Sequence, residues 1–589
     1  MQYRLLKPVN PKYSALVQVL TNRGIAYEDI QHYLNTTDGD INSPSAFGEQ
    51  VMKRAAAALV QCAQKNGKCL VVVDADCDGY TSSAILLNYL NDILPTWTQT
   101  QVEYILHDGK QHGLADCIDT ALTFDLVIVP DAGSNDFNEH AALHEAGIPV
   151  IILDHHELED KPNEDNAIII NNHYSEYPNK QLSGAGVAWQ FCRYLDSLLK
   201  TNHAEKYLDL VALGNMADMM SLTSIETKHL ITKGFSDEYV KNPFIYTMAE
   251  KNSFSLKGKI TPMGAAFYIA PFVNAMVRSG TQEEKELLFS SMLTFKAFTL
   301  IPSQKRGHAP GEQARVVDEA VRIATNVKAR QTKAQDSAME TIEGLIETRQ
   351  LLQHQVLLFL LKPGQIDRNI AGLVANKIMA KYQRPCAILT RIVHEDDEVC
   401  YEGSARGCDL AGVTEFKDIC EHTGYVEYCA GHQGAFGLGI KEKNIENFIA
   451  ATDAALKDMP NEPIYYVDYI YDNLQVSGDD ILDIASLEDL WGKDMPESLI
   501  AIRNIKVSAD MVTVYRKKDN TLKIQLPNGI SIMKFKASDE LCDMLQNQNP
   551  GYYIFDIVGT CNRNEWMGNV TPQVFIENYE IHGQSKYDF

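Results

Sequence analysis

Three aspartates follow an apolar run near residue 70, and their spacing suggests a metal site. The run CLVVVDADCDG carries Asp74, Asp76 and Asp78 at alternate positions, directly before Gly79. Three carboxylates at the end of a buried strand cannot all stay ionised against apolar groups without a counterion. A divalent cation is the simplest counterion for such a cluster.

Further acids and histidines stand where later apolar runs end. Asp131 closes one run, Asp154, His155 and His156 close the next, and Asp218 interrupts the apolar stretch VALGNMADMMSL. Taken singly, each has an ordinary explanation as a cap, a turn residue or a hydrogen-bonded core group. Their joint occurrence favours a metal site instead. Carboxylates with one or two imidazoles suit Mn²⁺ or Mg²⁺ better than zinc, and the number of ligands fits two ions.

The elements that must position these residues form a repeating α/β pattern. Short β-branched runs alternate with helical segments, and the runs are CLVVVDAD, FDLVIVPDAG, PVIILDHH and NAIIINN. Runs that are apolar on both faces predict a buried parallel sheet in a doubly wound α/β domain. Ligands of such sheets bind beyond the carboxyl ends of the strands, which is where the acids lie.

The remainder of the chain predicts a connector and two further domains. Apolar residues recur at a helical period between Pro310 and Pro363, and about 35 residues in one helix would span about 50 Å. A bent pair of helices is the alternative. A second α/β pattern follows, and after residue 462 short alternating runs between turn signals predict an antiparallel barrel or sandwich.

Composition restricts the class of protein but leaves its partner open. The 53 basic and 78 acidic residues give a net charge of −25, which by itself argues against nucleic acid as a partner. The twelve cysteines form no C-x-x-C pair and fit a reducing compartment. The N-terminal residues lack a signal-peptide pattern, and apolar runs stay short of a membrane span, so we expect a cytoplasmic protein without membrane contact.

The motifs carry a family resemblance. DADCDG, PDAG, the Asp-His-His triplet and GNMAD resemble the four ordered motifs of the DHH phosphoesterase superfamily. SGAGVAWQF and IAPFVNAMVRSG are similar to segments of the RecJ family of single-strand-specific DNA exonucleases. GLVANKI, GSAR and AGHQGAFG resemble the DHH-associated domain, and NEWMGNVTPQVFIENYEI resembles the last strands of the RecJ oligonucleotide-binding (OB) barrel.

The residue patterns and the resemblance together imply the domain organisation. They predict an α/β fold with a parallel-sheet DHH domain, a long helical connector, a second α/β DHH-associated domain and a C-terminal antiparallel OB-like β-barrel. The expected boundaries are a helical N-terminal extension at 1–60, the DHH domain at 61–300, the connector at 301–350, the DHH-associated domain at 351–460 and the OB-like domain at 461–589.

The resemblance also implies roles for individual residues. The expected metal ligands are Asp76, Asp78, Asp131, His155 and Asp218, with Asp74 a nearby catalytic acid. His156 is expected to contact the scissile phosphate and Arg278 to offset the charge that develops there. The expected substrate-binding residues are Ser404 and Arg406 at a terminal 5′-phosphate, His432 in the same cleft, Asn274 and Lys110.

Some of these assignments depend on the resemblance alone. From residue type, Arg278 is as well explained by a surface ion pair, Ser404 and Arg406 by a strand-end turn, and His432 by a glycine-rich loop. The segment LHDGKQHGL departs from the family, which usually has a phosphate-binding arginine there. The sequence leaves open whether Lys110, His107 or neither replaces that arginine.

The sequence therefore predicts a metal-dependent exonuclease that degrades single-stranded DNA from the 5′ end to mononucleotides, in DNA repair and recombination. The alternatives are a DHH phosphodiesterase for short oligoribonucleotides or cyclic dinucleotides, a catalytically silent replication scaffold and a tRNA-editing protein. By family analogy, single-strand-binding protein and a helicase are expected partners.

Local charge and aromatic residues make a nucleic-acid partner compatible with the acidic total. Residues 503–536 have a local balance of +6 and residues 303–333 one of +4, which predicts a narrow basic track and salt-dependent binding. Tyr515, Phe535 and Trp566 are candidate base-stacking platforms or, alternatively, core residues of the barrel.

Overall fold

The fold was analysed in a computed structural model. It describes residues 1–109, 111–163, 165–307, 309–394, 397–460, 463–547 and 551–585, without the side chains of residues 566, 584 and 585. The chain forms two compact units. The unit that contains the predicted metal ligands, termed the catalytic unit, comprises Arg23–Ala329 and Glu488–Glu497, and the accessory unit comprises Met1–Asn22, Arg330–Leu487 and Ser498–Phe589.

Strands and helices are numbered separately along the chain. The strands are β1 (Gln2–Leu5), β2 (Cys69–Val73), β3 (Val102–Leu106), β4 (Leu126–Pro130), β5 (Val150–Asp154), β6 (Ile168–Asn171), β7 (Leu300–Pro302), β8 (Gln313–Arg315), β9 (Leu357–Leu361), β10 (Cys386–Val393), β11 (Val399–Arg406), β12 (Tyr428–His432), β13 (Ala435–Lys441), β14 (Ile464–Val467), β15 (Tyr469–Asp472), β16 (Leu499–Ser508), β17 (Val512–Tyr515), β18 (Thr521–Gln525), β19 (Ser531–Phe535), β20 (Tyr552–Trp566) and β21 (Asn569–Ser585). The α-helices are α1 (Ala15–Asn22), α2 (Ile30–Leu34), α3 (Glu49–Gln64), α4 (Cys77–Ile93), α5 (Pro95–Gln101), α6 (Ile118–Ala121), α7 (Phe137–Glu145), α8 (Gly184–Leu199), α9 (Leu208–Ala217), α10 (Ile225–Gly234), α11 (Pro243–Lys251), α12 (Ser253–Leu256), α13 (Pro262–Tyr268), α14 (Ala270–Ser279), α15 (Gln282–Met292), α16 (Val316–Thr348), α17 (Arg368–Tyr382), α18 (Phe416–His422), α19 (Ile445–Ala455), α20 (Gly478–Ala485) and α21 (Asp539–Gln546).

The predicted parallel sheet lies in the catalytic unit. Its strand order is β3-β2-β4-β5-β6, and every neighbouring pair is parallel. All residues of β2, β4 and β5 are buried, as their β-branched apolar sequences predict. Because the strands are parallel, their carboxyl ends meet at one edge, and helices α4, α8 and α9 pack together beside it.

The predicted connector is one continuous helix. Helix α16 has 33 residues, which corresponds to about 50 Å at the helical rise. This confirms a single helix over the alternative of a bent pair. In its second half, Ala338, Ile342 and Ile346 are buried against the core of the β9 to β13 sheet, so the helical periodicity identified the packed face.

The accessory unit contains the other two sheets that the sequence predicted. The first has the order β12-β13-β11-β10-β9 and is mixed, since β9 and β10 are parallel and the other pairs are antiparallel. The C-terminal sheet has the order β15-β16-β20-β21-β19-β18-β17.

The prediction of a wholly antiparallel C-terminal domain was wrong in two strand pairs. Both β15–β16 and β19–β21 are parallel. Helix α21 connects β19 to β20, and the long β20–β21 hairpin then returns the chain beside β19. A helical crossover allows parallel pairing, which a tight hairpin does not.

The N-terminal segment also differs from its prediction as a helical extension. Gln2–Leu5 forms β1, which pairs in parallel with β14 in the accessory unit. Helices α1, α2 and α3 account for much of the rest of the segment. Among the described residues, no helix combines the length and apolar character needed to span a bilayer.

Candidate active site

The alternating aspartates occupy a strand-to-helix turn. Strand β2 ends at Val73 and helix α4 begins at Cys77, so Asp74 and Asp76 lie in the turn. Asp76 is the N-cap of α4, and its side chain accepts a 2.9 Å hydrogen bond from the Gly79 amide. The turn therefore holds these carboxylates at the carboxyl edge of the sheet.

Asp78 is fixed by the start of a second helix. Its carboxylate accepts hydrogen bonds from the Ser183 hydroxyl at 3.0 Å, the Gly184 amide at 2.7 Å and the Ala185 amide at 3.1 Å. The N-terminus of α8 stabilises a negative charge. Complete burial nevertheless raises the pKa of Asp78, helped by the nearby negative charge of Asp76.

Asp131 lies at the centre of the acidic cluster in a strained conformation. It follows β4 with a φ of 69°, in the left-handed region, and its amide donates a 2.8 Å hydrogen bond to the Leu153 carbonyl. Burial raises the pKa of Asp131 well above its usual range, and the neighbouring aspartates raise it further. A β-carbon on Gly184 would lie 2.2 Å from Asp131 Oδ1, so a glycine is needed there for this close approach.

The Asp-His-His triplet divides its functions among its three residues. Asp154 accepts hydrogen bonds from the His155 and His156 amides, from His156 Nδ1 at 2.8 Å and from the Ser134 amide. Burial alone would raise the pKa of Asp154, but the hydrogen bond and charge of His156 outweigh it and hold the pKa below its usual range. The same hydrogen bond raises the pKa of His156 to about 9. Asp154 thus orients and charges His156.

The His155 ring lies among three carboxylates, which belong to the start of α4, the end of β4 and the end of α9. Its Nε2 lies 3.3 Å from Asp131 Oδ1, 3.3 Å from Asp218 Oδ2 and 3.9 Å from Asp78 Oδ2. Burial lowers the pKa of His155, which favours the neutral imidazole that ligates metals. Asp218 directly follows α9, and burial next to Asp78 raises its pKa to about 8.

These side chains form overlapping groups whose ligand atoms fit divalent cations. The groups are Asp74, Asp76 and Asp131; Asp78, His155 and Asp218; and Asp131, Asp154, His155 and His156. Within the described part of the chain, Asp131 Oδ1 and His155 Nε2 are buried without a hydrogen-bond partner. The raised carboxylate pKa values mark negative charge that lacks compensation. Oxygen-rich ligands with one imidazole fit Mn²⁺ or Mg²⁺.

His112 belongs to the site but was not predicted from the sequence. Its Nδ1 lies 3.0 and 2.8 Å from the two carboxylate oxygens of the buried Asp74. The hydrogen bond to Asp74 raises the pKa of His112. The departure of LHDGKQHGL from the family pattern pointed to this segment but not to this residue.

Four further residues of the catalytic unit were predicted as candidates for contacts with the substrate: Asn274, Arg278, His107 and Lys110. Asn274 and Arg278 lie on α14, which packs against α4 and α9, the helices that adjoin the acidic cluster. His107 is buried and bonds to Asp116, which does not suit a phosphate contact. Lys110 lies outside the described residues.

The predicted 5′-phosphate residues lie together in the accessory unit. Ala435 pairs with Arg406 on one side and with His432 on the other, so these residues form one row across β11, β13 and β12. Ser404, two residues before Arg406, shares their face of the sheet. Gly372 of α17 leaves room there, since a β-carbon would lie 2.5 Å from Arg406 Nη2. The structure thus groups Ser404, Arg406 and His432.

The C-terminal sheet exposes two of the candidate stacking platforms. Thr521 pairs with both Tyr515 and Phe535, which places the two rings on the same face. Both are about half exposed, so the alternative of core residues was wrong for them. The Trp566 side chain lies outside the described part of the chain. Not all predicted basic residues are free to bind DNA, since Arg516 pairs with Asp539 and Asp543.

Family models and relatives agree with this architecture. The DHH family N-terminal domain matches residues 68–215, and the RecJ OB domain matches residues 467–578. Fold and site together define a DHH-type protein with an OB-like domain.

The chain is 34% identical over 99% of its length to a protein of Bacillus subtilis strain 168 named as the SPbeta prophage-derived single-strand DNA-specific exonuclease YorK, and covers 98% of it. It is 24% identical over its full length to the single-stranded-DNA-specific exonuclease RecJ of B. subtilis, and covers 72% of it. The chain belongs to the RecJ family.

Solved structures share the fold. A crystal structure of RecJ from Thermus thermophilus in complex with Mn²⁺ superposes with a TM-score of 0.69 at 19% identity, over 98% of this chain and 79% of that one. A crystal structure of exonuclease RecJ bound to manganese gives 0.51 at 22% identity, over 70% of this chain and 95% of that one. The full-length relationship, OB domain included, does not favour the smaller-substrate DHH enzymes, the silent scaffold or the tRNA-editing protein.

Proposed function

We propose that the protein is a metal-dependent exonuclease that hydrolyses single-stranded DNA from the 5′ end and releases mononucleotides. The observation that carries this proposal is the meeting of buried carboxylates with unpartnered Asp131 Oδ1 and His155 Nε2, in a chain of the RecJ family. The expected biological setting is DNA repair and recombination, in the cytoplasm where the DNA substrate lies.

Two divalent ions, Mn²⁺ or Mg²⁺, are proposed to occupy the cluster. Asp74, Asp76 and Asp131 would hold one ion, and Asp78, His155 and Asp218 the other, since each set brings its ligand atoms together. Such ions lower the pKa of the attacking water and neutralise charge on the phosphate. Asp131 and His155 adjoin both sets, which explains their central and buried positions.

The protein side chains have their own tasks in the proposed reaction. Water attacks the phosphorus and the bond to the leaving 3′-oxygen breaks, so the released nucleotide has a 3′-hydroxyl and the shortened strand a new 5′-phosphate. His156 stays protonated at neutral pH because of Asp154, and is proposed to donate a hydrogen bond to the scissile phosphate. Arg278 is proposed to offset the charge that develops there, and Asn274 to bind the strand.

The accessory unit is proposed to hold the substrate. Ser404, Arg406 and His432 are proposed to bind the terminal 5′-phosphate, because they share one face of the sheet. The OB-like domain is proposed to bind the following nucleotides by stacking and backbone charge. Single-strand-binding protein and a helicase are proposed partners, since both act on the same substrate.

One assay tests the proposal. Purified protein with Mn²⁺ receives 5′-labelled and 3′-labelled single-stranded DNA, duplex DNA, short RNA and a cyclic dinucleotide, beside Asp131→Asn. We expect the 5′ label to appear as a mononucleotide at once and Asp131→Asn to be inactive. Undiminished nuclease activity in the variant would contradict the metal assignment. Exclusive cleavage of short RNA or of the dinucleotide would contradict the substrate.

A further inference from the structure

One stretch of the catalytic unit has a charge opposite to that of the whole chain. Residues 251–282 contain Lys251, Lys257, Lys259 and Arg278 and no acid, in a chain with 78 acids and a net charge of −25. The stretch runs from the last residue of α11 through α12, α13 and α14 to the first residue of α15. A segment that keeps cations and excludes acids over this length is suited to a polyanion.

Exposed aromatic rings are interleaved with these cations. Phe254 is 97% exposed, Phe267 is 63% exposed and Tyr268 is 39% exposed. The helices that carry them, α12 and α13, pack together: the Asn252 side chain donates a 3.2 Å hydrogen bond to the Tyr268 carbonyl, and a β-carbon on Gly264 would lie 2.8 Å from Leu256 Cδ2. Exposed rings scattered singly are ordinary, but a cluster of them marks a binding surface. Phe254, Phe267 and Tyr268, with Lys251 and Lys257, are termed the aromatic surface.

The backbone fixes the aromatic surface in place. Lys257 and Gly258 both have positive φ, at 52° and 79°, which forms a tight turn directly after α12. Thr261 caps α13 through the Gly264 amide, and Lys259 pairs with Asp489 of the same unit. Leu256 is buried and anchors the turn. Phe254 is therefore presented on an ordered support, which lowers the entropy cost of binding.

The surface is connected to the acidic cluster through its supporting helices. Helix α13 packs against α9, whose C-terminal residue precedes Asp218, and α14 packs against α4, which is capped by Asp76. The stretch also contains Asn274 and Arg278. A single strand of nucleic acid that lies across the aromatic surface would thus remain within the unit that holds the proposed catalytic groups.

We propose that the aromatic surface binds unpaired nucleic acid, with bases stacked on Phe254 and its neighbouring rings and phosphates held by Lys251 and Lys257. This inference rests on the proposed function, since it supplies a binding surface for the same substrate. Every base has a π-face, so stacking is independent of sequence, whereas the bases of a duplex are already stacked on each other. The surface would therefore select single strands. A protein could also dock on exposed rings, but four cations without an acid within residues 251–282 favour a polyanion.

Binding of the full chain to fluorescent oligothymidylate tests this proposal. EDTA prevents cleavage, and anisotropy is recorded for wild type, Phe254→Ala, Phe254→Trp and Leu198→Ala. Loss of a stacking ring weakens binding by about 5- to 150-fold, so Phe254→Ala is expected to fall in this range and Phe254→Trp to bind like wild type. Leu198 is a matched control, because it is 54% exposed on α8 of the same unit and lies outside the stretch.

Two further measurements separate stacking from charge. An oligonucleotide with abasic residues should bind wild type and Phe254→Ala equally, because it has no bases to stack. In the double variant Lys251→Gln, Lys257→Gln, the dependence of log K on log salt should become shallower by about 1.4, as expected for two lost contacts to single-strand phosphates.

The outcomes distinguish this inference from the proposed function. If wild type degrades single-stranded DNA but Phe254→Ala binds it with unchanged affinity, the inference is overturned. If binding depends on Phe254 but wild type hydrolyses no single-stranded DNA with Mn²⁺, the proposed nuclease function fails and the strand-binding surface stands.

Discussion

Gly184→Ala is the most incisive test of the site geometry, because it adds one carbon beside the central carboxylate. The new β-carbon would lie 2.2 Å from Asp131 Oδ1 and 2.5 Å from the Asp131 β-carbon. Normal contact needs about 3.5 Å, so Asp131 must retreat by about 1 Å. Functional groups must be held within about 0.5 Å, and an error of about 1 Å costs about 100-fold in rate. We expect at least that loss in kcat/KM.

The stability change should be small by comparison. Overpacking lowers the free energy of unfolding by about 1–3 kcal/mol, and the change from glycine to alanine at a helical position raises it by up to about 1 kcal/mol. The expected net loss is therefore about 1 kcal/mol, which leaves the protein folded. A drop in activity without unfolding would identify displacement of the carboxylates next to Gly184, Asp131 and Asp78, as its cause.

The assay follows release of the 5′ label from single-stranded DNA at several Mn²⁺ concentrations, with Mn²⁺ affinity measured by calorimetry. Gly344→Ala is the matched control, because a β-carbon there meets open space on the exposed face of α16. It should retain full activity and gain slightly in melting temperature. Wild-type activity and Mn²⁺ affinity in Gly184→Ala would refute the assignment of Asp131 as a metal ligand.

Three further predictions concern other parts of the molecule. His112→Ala should weaken Mn²⁺ binding by about 10- to 100-fold in calorimetry, since the residue that orients Asp74 is lost, and unchanged affinity would exclude that role. Gly372→Ala should displace Arg406 and remove the preference for a 5′-phosphorylated end in a competition between phosphorylated and unphosphorylated strands, whereas a retained preference would argue against the site. Burial lowers the pKa of Lys228 to about 8, below the unfolded value, so this group adds stability as pH rises from 8 towards 10.5. After Lys228→Met, the rise in melting temperature between pH 8 and 10 should shrink by the equivalent of about 1 kcal/mol, and an unaltered rise would contradict the shift.

The sequence was sufficient to predict the catalytic sheet and the residues grouped at its edge. Parallel strands bring their carboxyl ends together, so Asp74, Asp131 and His155, far apart in the chain, had to meet once the strands were recognised. The helical period likewise predicted α16 as one element. Both inferences depend on patterns that extend over many residues.

Features set by single contacts could not be predicted in this way. Asp154 and Asp131 are both strand-end acids in the sequence, yet Asp154 accepts hydrogen bonds from its neighbours while Asp131 keeps an oxygen unpartnered. His112 lies in an irregular segment, and only the folded loop brings it to Asp74. The parallel β19–β21 pair depends on the path of α21. These outcomes depend on tertiary geometry, which local patterns do not encode.

The pairing of β1 with β14 has a consequence for biosynthesis. Gln2 pairs with Ile464, so β1 must await a partner strand that is synthesised about 460 residues later. At about 5–20 residues per second, that delay is roughly half a minute to a minute and a half. Throughout this time β1 is an unpaired strand with which other chains could pair. Its short length and the charge of Arg4 limit this aggregation. The catalytic sheet can form during the wait, so the nascent chain is expected to acquire its nuclease centre before the accessory unit is complete.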